Sequence, residues 1–183
     1  MSIWRFLGLQ VSALEQESGV AKPETETVRK IVEALDALDP NQARYMAAYA
    51  FLLGRVANAD HHISAEETQQ MERIVMQQGG LPEEQAVLVV HMAKTQNQLF
   101  GGTENFLVAR EFAKIANRDQ KICVLRSLFA VSAADSSIST AEDNQISQIA
   151  RELGLSHDEF IAVRLEHRDD LAVHKDRPKL PKP

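Results

Sequence analysis

Two stretches of the chain say nearly the same thing: "ANADHHISAEE" at 57–67 and "SAADSSISTAED" at 132–143. In register, Asp60 aligns with Asp135, Ile63 with Ile138, Ser64 with Ser139 and Glu67 with Glu142. The match runs back through Leu53 and Leu128, Val56 and Val131, Ala59 and Ala134, and forward through Met71 and Ile146, Ile74 and Ile149, Gly79 and Gly154. Even the next helix starts correspond after one extra residue, "LPEE" against "LSHDE". This is an internal duplication of a helix–loop–helix–turn–helix unit, with copies at about 45–90 and 120–166. A unit of that size cannot bury its own apolar face, so the two copies are expected to pack on each other.

Apolar spacing between the loops is helical almost everywhere, and the alternation that marks strands is nearly absent. "TETVRKIVEALDALD" places Val28, Ile31, Val32, Leu35 and Leu38 on one stripe and stops at Asp39-Pro40, which suits the N-cap and first residue of the next helix. That next segment, "NQARYMAAYAFLLGRVANA", is apolar on several sides, as expected of the central helix of a bundle. Gly79-Gly80 ends the helix after the first loop, and Gly101-Gly102 is read as a break between two further helices. The expectation is an all-α, compact bundle of about eight helices spanning 23–168. Residues 1–22 form a separate segment, docked or amphipathic, and 169–183 read as a disordered basic, proline-rich tail.

Charge and composition narrow the partners. A net charge of −6 with no basic stripe in the body argues against nucleic acid. No apolar run approaches the ~20 residues of a membrane span, and the opening "MSIWRFLGLQ" lacks the layout of a secretory signal, so a cytoplasmic protein with at most peripheral membrane contact is expected. The single cysteine, Cys123, sits in "DQKICVLRSLF" and reads as a buried small hydrophobe. His91, on the apolar helix "AVLVVHMAK", reads as a partly buried structural histidine. No phosphate loop, G-x-S-x-G or H-E-x-x-H motif is present, so catalysis is not expected.

The repeated loop itself has two readings. Ser64-Ala65-Glu66-Glu67 and Ser139-Thr140-Ala141-Glu142 both fit the capping box S-x-x-E, and Asp60 and Asp135 suit Asx turns that organise the loop. Ile63 and Ile138 are expected to plug into the core between the two helices of each unit. Alternatively, a pseudo-twofold packing brings Asp60, Glu67, Asp135 and Glu142 into one all-oxygen site for a hard divalent cation. His61 or His62 would be at most a lopsided extra ligand. An EF-hand is excluded, because its twelfth position would be Met71 or Ile146 instead of glutamate.

"AYAFLLGRVANADHHISAEETQQMERIV" and "LRSLFAVSAADSSISTAEDNQISQIARELGLS" together resemble the TerB-like family, the helical domain of tellurite-resistance proteins, which is related to an N-terminal domain of the membrane-anchored co-chaperone DjlA. The resemblance covers about residues 40 to 165. It implies an all-α fold, a link to tellurite resistance and chemical stress, and metal binding by the loop acids Asp60, Glu67, Asp135 and Glu142. Where the family has glycine after the loop aspartate, this chain has His61 and Ser136, residues that adopt positive φ only at a cost. No J-domain follows, so a co-chaperone role does not carry over. The expectations are a non-catalytic module with a divalent cation as cofactor, or a metal-independent scaffold for a protein partner.

Overall fold

The computed structural model describes residues 40–175, with side chains described throughout that span except at 99–104 and 174–175. The expected N-terminal segment, the helix anticipated before Pro40 and the end of the tail lie outside these residues. Seven α-helices follow in order: α1 (Pro40–Ala57), α2 (Ala65–Gly79), α3 (Glu83–Ile115), α4 (Arg118–Ser132), α5 (Thr140–Glu152), α6 (His157–Glu166) and a short α7 (Ala172–Lys175). A 3-10 turn at Arg168–Asp170 precedes α7. The all-α expectation holds among the described residues, with two expected helices joined into α3 and a short α7 added.

Gly101-Gly102 does not break the chain: α3 runs through it for 33 residues. Each glycine in a helix interior costs only about 1 kcal/mol relative to alanine. Long-range packing outweighs that cost, since α3 lies along α1 and also touches α2 and α5. The turn glycines behave differently. Gly80 and Gly154 both adopt left-handed backbone, at φ 62° and 75°, so Gly80, not Gly79, is the conformational partner of Gly154. The extra residue of the first copy is therefore absorbed inside α2, which has 15 residues against 13 in α5. At Gly79 the constraint is space instead: a Cβ there would stand 2.8 Å from the Met46 methyl carbon, and that side chain would have to shift.

Helix α1 is the centre of the bundle, as its all-round apolarity requires. Met46, Tyr49, Leu52, Leu53 and Val56 are all sealed from solvent, and α1 touches α2, α3, α4 and α5. Contacts between the copies are reciprocal: α2 packs on α4 and α1 packs on α5. That exchange is the signature of a pseudo-twofold relation between the units.

Two side chains tie the copies together off this axis. Arg55 on α1 is buried and forms an ion pair with Glu152 on α5, while its Nη1 also donates to the Asn105 carbonyl. Tyr49 Oη lies 2.7 Å from Ser127 Oγ on α4. Cys123 lies beside this pair, its Sγ 3.9 Å from Tyr49 Oη, half-buried at the edge of the core and not sealed within it. His91 is exposed, contrary to the expected partial burial, because it lies on the outer side of α3 while its neighbours Val90 and Met92 face the core.

Candidate functional site

Both repeated loops form the capping boxes their sequences encode. The Ser64 backbone N–H donates to Glu67 Oε2 at 2.7 Å, and the Glu67 N–H donates back to Ser64 Oγ at 3.1 Å. In the second copy the Ser139 N–H reaches Glu142 Oε2 at 2.8 Å, and the Glu142 N–H reaches Ser139 Oγ at 3.2 Å. Four backbone and side-chain groups are thus satisfied at each helix start, worth about 1 kcal/mol per cap. Two further boxes, Asn117 with Gln120 and Ser156 with Glu159, follow the same spacing and were equally readable in "NRDQ" and "SHDE".

The loop aspartates are turn-makers. Asp60 Oδ1 accepts from the His62 N–H at 2.9 Å, and Asp135 Oδ1 from the Ser137 N–H at 3.3 Å. Both aspartates, and both His61 and His62, are exposed. The residues that replace the family's glycine do take left-handed backbone, His61 at φ 67° and Ser136 at φ 83°. The loop conformation is thus preserved without glycine, with the strain kept in the backbone.

The glutamates differ from the aspartates in being buried. Glu67 is 4% exposed and Glu142 5%, yet neither takes part in an ion pair among the described residues. Burial pushes the Glu67 carboxyl up to about 7; the Ser64 hydrogen bonds pull the other way, and the charges of Glu142 and Asp135 raise it further. Glu142 is also raised, first by burial and then by Asp135, against the lowering effect of Ser139 and Ser132. The pseudo-twofold packing therefore brings Glu67 and Glu142 into electrostatic contact across the copies, with Asp135 acting on both. Asp60 stays engaged in its own loop turn.

Whether these residues suit a cation turns on which oxygens remain. In both boxes the backbone hydrogen bond runs to Oε2. Ser132 Oγ, at the end of α4, is fully buried and favours the charged form of the Glu142 carboxyl. Carboxylates and hydroxyls are the oxygen donors a hard cation takes. Among the described residues no three His, Cys, Asp or Glu side chains gather closely enough to hold an ion by themselves. The donor set therefore fits only with Ser132, backbone oxygens or water completing it. His61 and His62 are not drawn to the pair.

Neither a curated protein nor a solved structure matches the chain significantly. The family model described as "Tellurite resistance protein TerB" matches residues 46–165, well over half of the chain, and spans both loops and the interface between them. The chain belongs to the TerB family of tellurite resistance proteins.

Proposed function

We propose that this TerB-family chain is a non-catalytic helical module of tellurite resistance or a related chemical-stress response, and that a divalent cation bound between its two copies is part of how it works. The observation that supports this reading is the buried, mutually repelling pair Glu67 and Glu142, which no arginine or lysine among the described residues neutralises. Burying two carboxylates without a counter-charge is costly, and the cost falls only by taking up a proton or a cation. The raised pKa of Glu67 reflects a preference for charge neutralisation near neutral pH. A divalent ion would compete with the proton for the same oxygens, so uptake would release protons and tighten as pH rises.

Glutamine is a natural N3 partner in a capping box, and Gln120 already fills that role opposite Asn117. Glu67→Gln/Glu142→Gln therefore removes the charges while keeping the caps. Metal-stripped protein is melted with Ca²⁺, Mg²⁺, Mn²⁺ or Zn²⁺, beside this double variant and beside Asp60→Asn/Asp135→Asn. A melting-point rise with one ion, lost in the glutamine variant, supports a cation held by the pair; a flat response to every ion rules it out.

A metal-independent interaction scaffold is the second reading, favoured by one feature. Phe106 and Leu107 on α3 are 54% and 53% exposed, large apolar side chains side by side on the surface. Such a patch suits a protein partner or a membrane surface. No described helix is long and apolar enough to cross a membrane.

A further inference from the structure

Four helix ends meet where the described chain begins, and an open groove of about 510 Å³ lies between them. Tyr45 and Met46 of α1 and Ile115 at the end of α3 supply its apolar lining. Gln42 of α1, Gln78 near the end of α2 and Gln120 in the first turn of α4 supply amides, with Asn41 beside them. Tyr45 packs on Tyr49 and Phe112, with ring centroids 5.7 and 5.1 Å apart, so the core holds this side of the groove in place. Gln42 Nε2 donates to the Gly79 carbonyl at 3.2 Å, which ties the start of α1 to the end of α2. Ile115 is 38% exposed, whereas Phe112 and Ala116 beside it face the core. No lining side chain carries a charge, in a chain with 25% charged residues. Apolar side chains ringed by neutral amides suit an apolar segment better than an ion.

We infer that this groove is the docking site of the chain's own residues 25–39, with Leu35 and Leu38 seated against Tyr45 and Ile115. Those residues lie outside the described span, and the argument for them is their sequence and their point of attachment. Val28, Ile31, Val32, Leu35 and Leu38 fall on one stripe at helical spacing. A helix of about 15 residues is marginal in water by itself, so such a stripe needs an apolar surface to cover it. Only Asp39 stands between Leu38 and Pro40, the first residue of α1, and two Cα steps span at most about 7.6 Å. Leu38 is therefore held close to the groove whatever path the chain takes, and a joint that short makes successive helices antiparallel neighbours. Tethering gives the segment an effective concentration of about millimolar or more, which a separate partner would have to exceed. This inference is independent of the cation reading, and either can fail without the other.

Two readouts on the full chain test it. Nuclear Overhauser contacts from the Leu35 or Leu38 methyls to the Tyr45 ring or the Ile115 methyls are expected in the wild type. An arginine-specific protease then follows the segment through its cut after Arg29, identified by product mass. Ile115→Lys, at an exposed helix end that favours a cation, and Leu35→Lys should each speed that cut about tenfold. Val87→Asp, exposed near the start of α3, should leave the rate unchanged, and circular dichroism checks that all three variants fold. Absent contacts, or equal cleavage of the wild type and both lysine variants, would overturn the inference. Protection that falls on dilution, together with a dimer in sedimentation, would assign the groove to a second copy's segment and overturn it too.

Discussion

The two copies share a loop but not its surroundings. In the second copy the chain turns back after α6, and Ile138 is bridged on both sides: its N–H donates to the Asp170 carbonyl at 2.9 Å, and its carbonyl accepts from the Ala172 N–H at 3.0 Å. Leu171, in a parallel bridge with Ile138, is buried with it. In the first copy the equivalent helix does not turn back; α3 continues to Ile115, and Ile63 stays only half-buried. One loop is thus closed by a returning strand-like segment, while among the described residues no segment closes the other at the same place. Closely similar local sequence produced the same cap, the same Asx turn and the same left-handed residue in both. The difference was decided by the path of the chain beyond each unit. Capping belongs to the motif, and closure belongs to the context.

This contrast can be broken by mutation. Ile138→Ala should cost about 3 kcal/mol of stability, because the side chain is sealed and its removal leaves a cavity beside Leu171. Ile63→Ala should cost only about 1 kcal/mol, since its site is already partly open and can relax. Urea denaturation of the two variants measures both; equal losses would mean that the returning segment adds nothing to the second loop.

A second test sharpens what the copies have in common, the buried acids. In the folded chain Glu67 is held up to about 7, against 4.5 when unfolded. The folded state therefore keeps a proton that the unfolded state has released, and stability from this group is full below pH 4.5 and lost as pH rises through 7. The loss should be about 3 kcal/mol in the absence of metal, and Glu67→Gln should flatten the profile across that window. The smallest effect concerns the loop backbone. His61→Gly should stabilise by about 0.5 kcal/mol, relief of left-handed strain partly offset by the greater freedom of glycine when unfolded. Thermal melts at one pH suffice to see the sign.

Much of the architecture was legible in the residues. The duplication, the central helix and the serine–glutamate caps could be read because each is a short-range pattern with its own energetic logic. The misreading at Gly101-Gly102 arose where a local signal, two weak helix formers in a row, opposed packing along the whole of α1. Leu171, inside the stretch read as tail, was hard to place for a related reason. Leu171 looked like part of a polar terminus, and only its partner Ile138, far back in the chain, makes it core. At the candidate site the four loop acids were identified, but not their division of labour. Aspartates and glutamates look alike in sequence; the pseudo-twofold packing buries the glutamates and leaves the aspartates at the surface.

Both copies carry a buried capping glutamate, and the charge of Glu142 helps to raise Glu67. Nuclear magnetic resonance titration of the Glu67 side-chain carboxyl carbon, in metal-free wild type and in Glu142→Gln, reads that coupling directly. The expected midpoint is about 7 in the wild type, moving down toward the ordinary carboxylate range when Glu142 is neutralised. An ordinary midpoint in both proteins, or a raised one that ignores Glu142, would contradict the coupling and leave the loops as two independent helix caps.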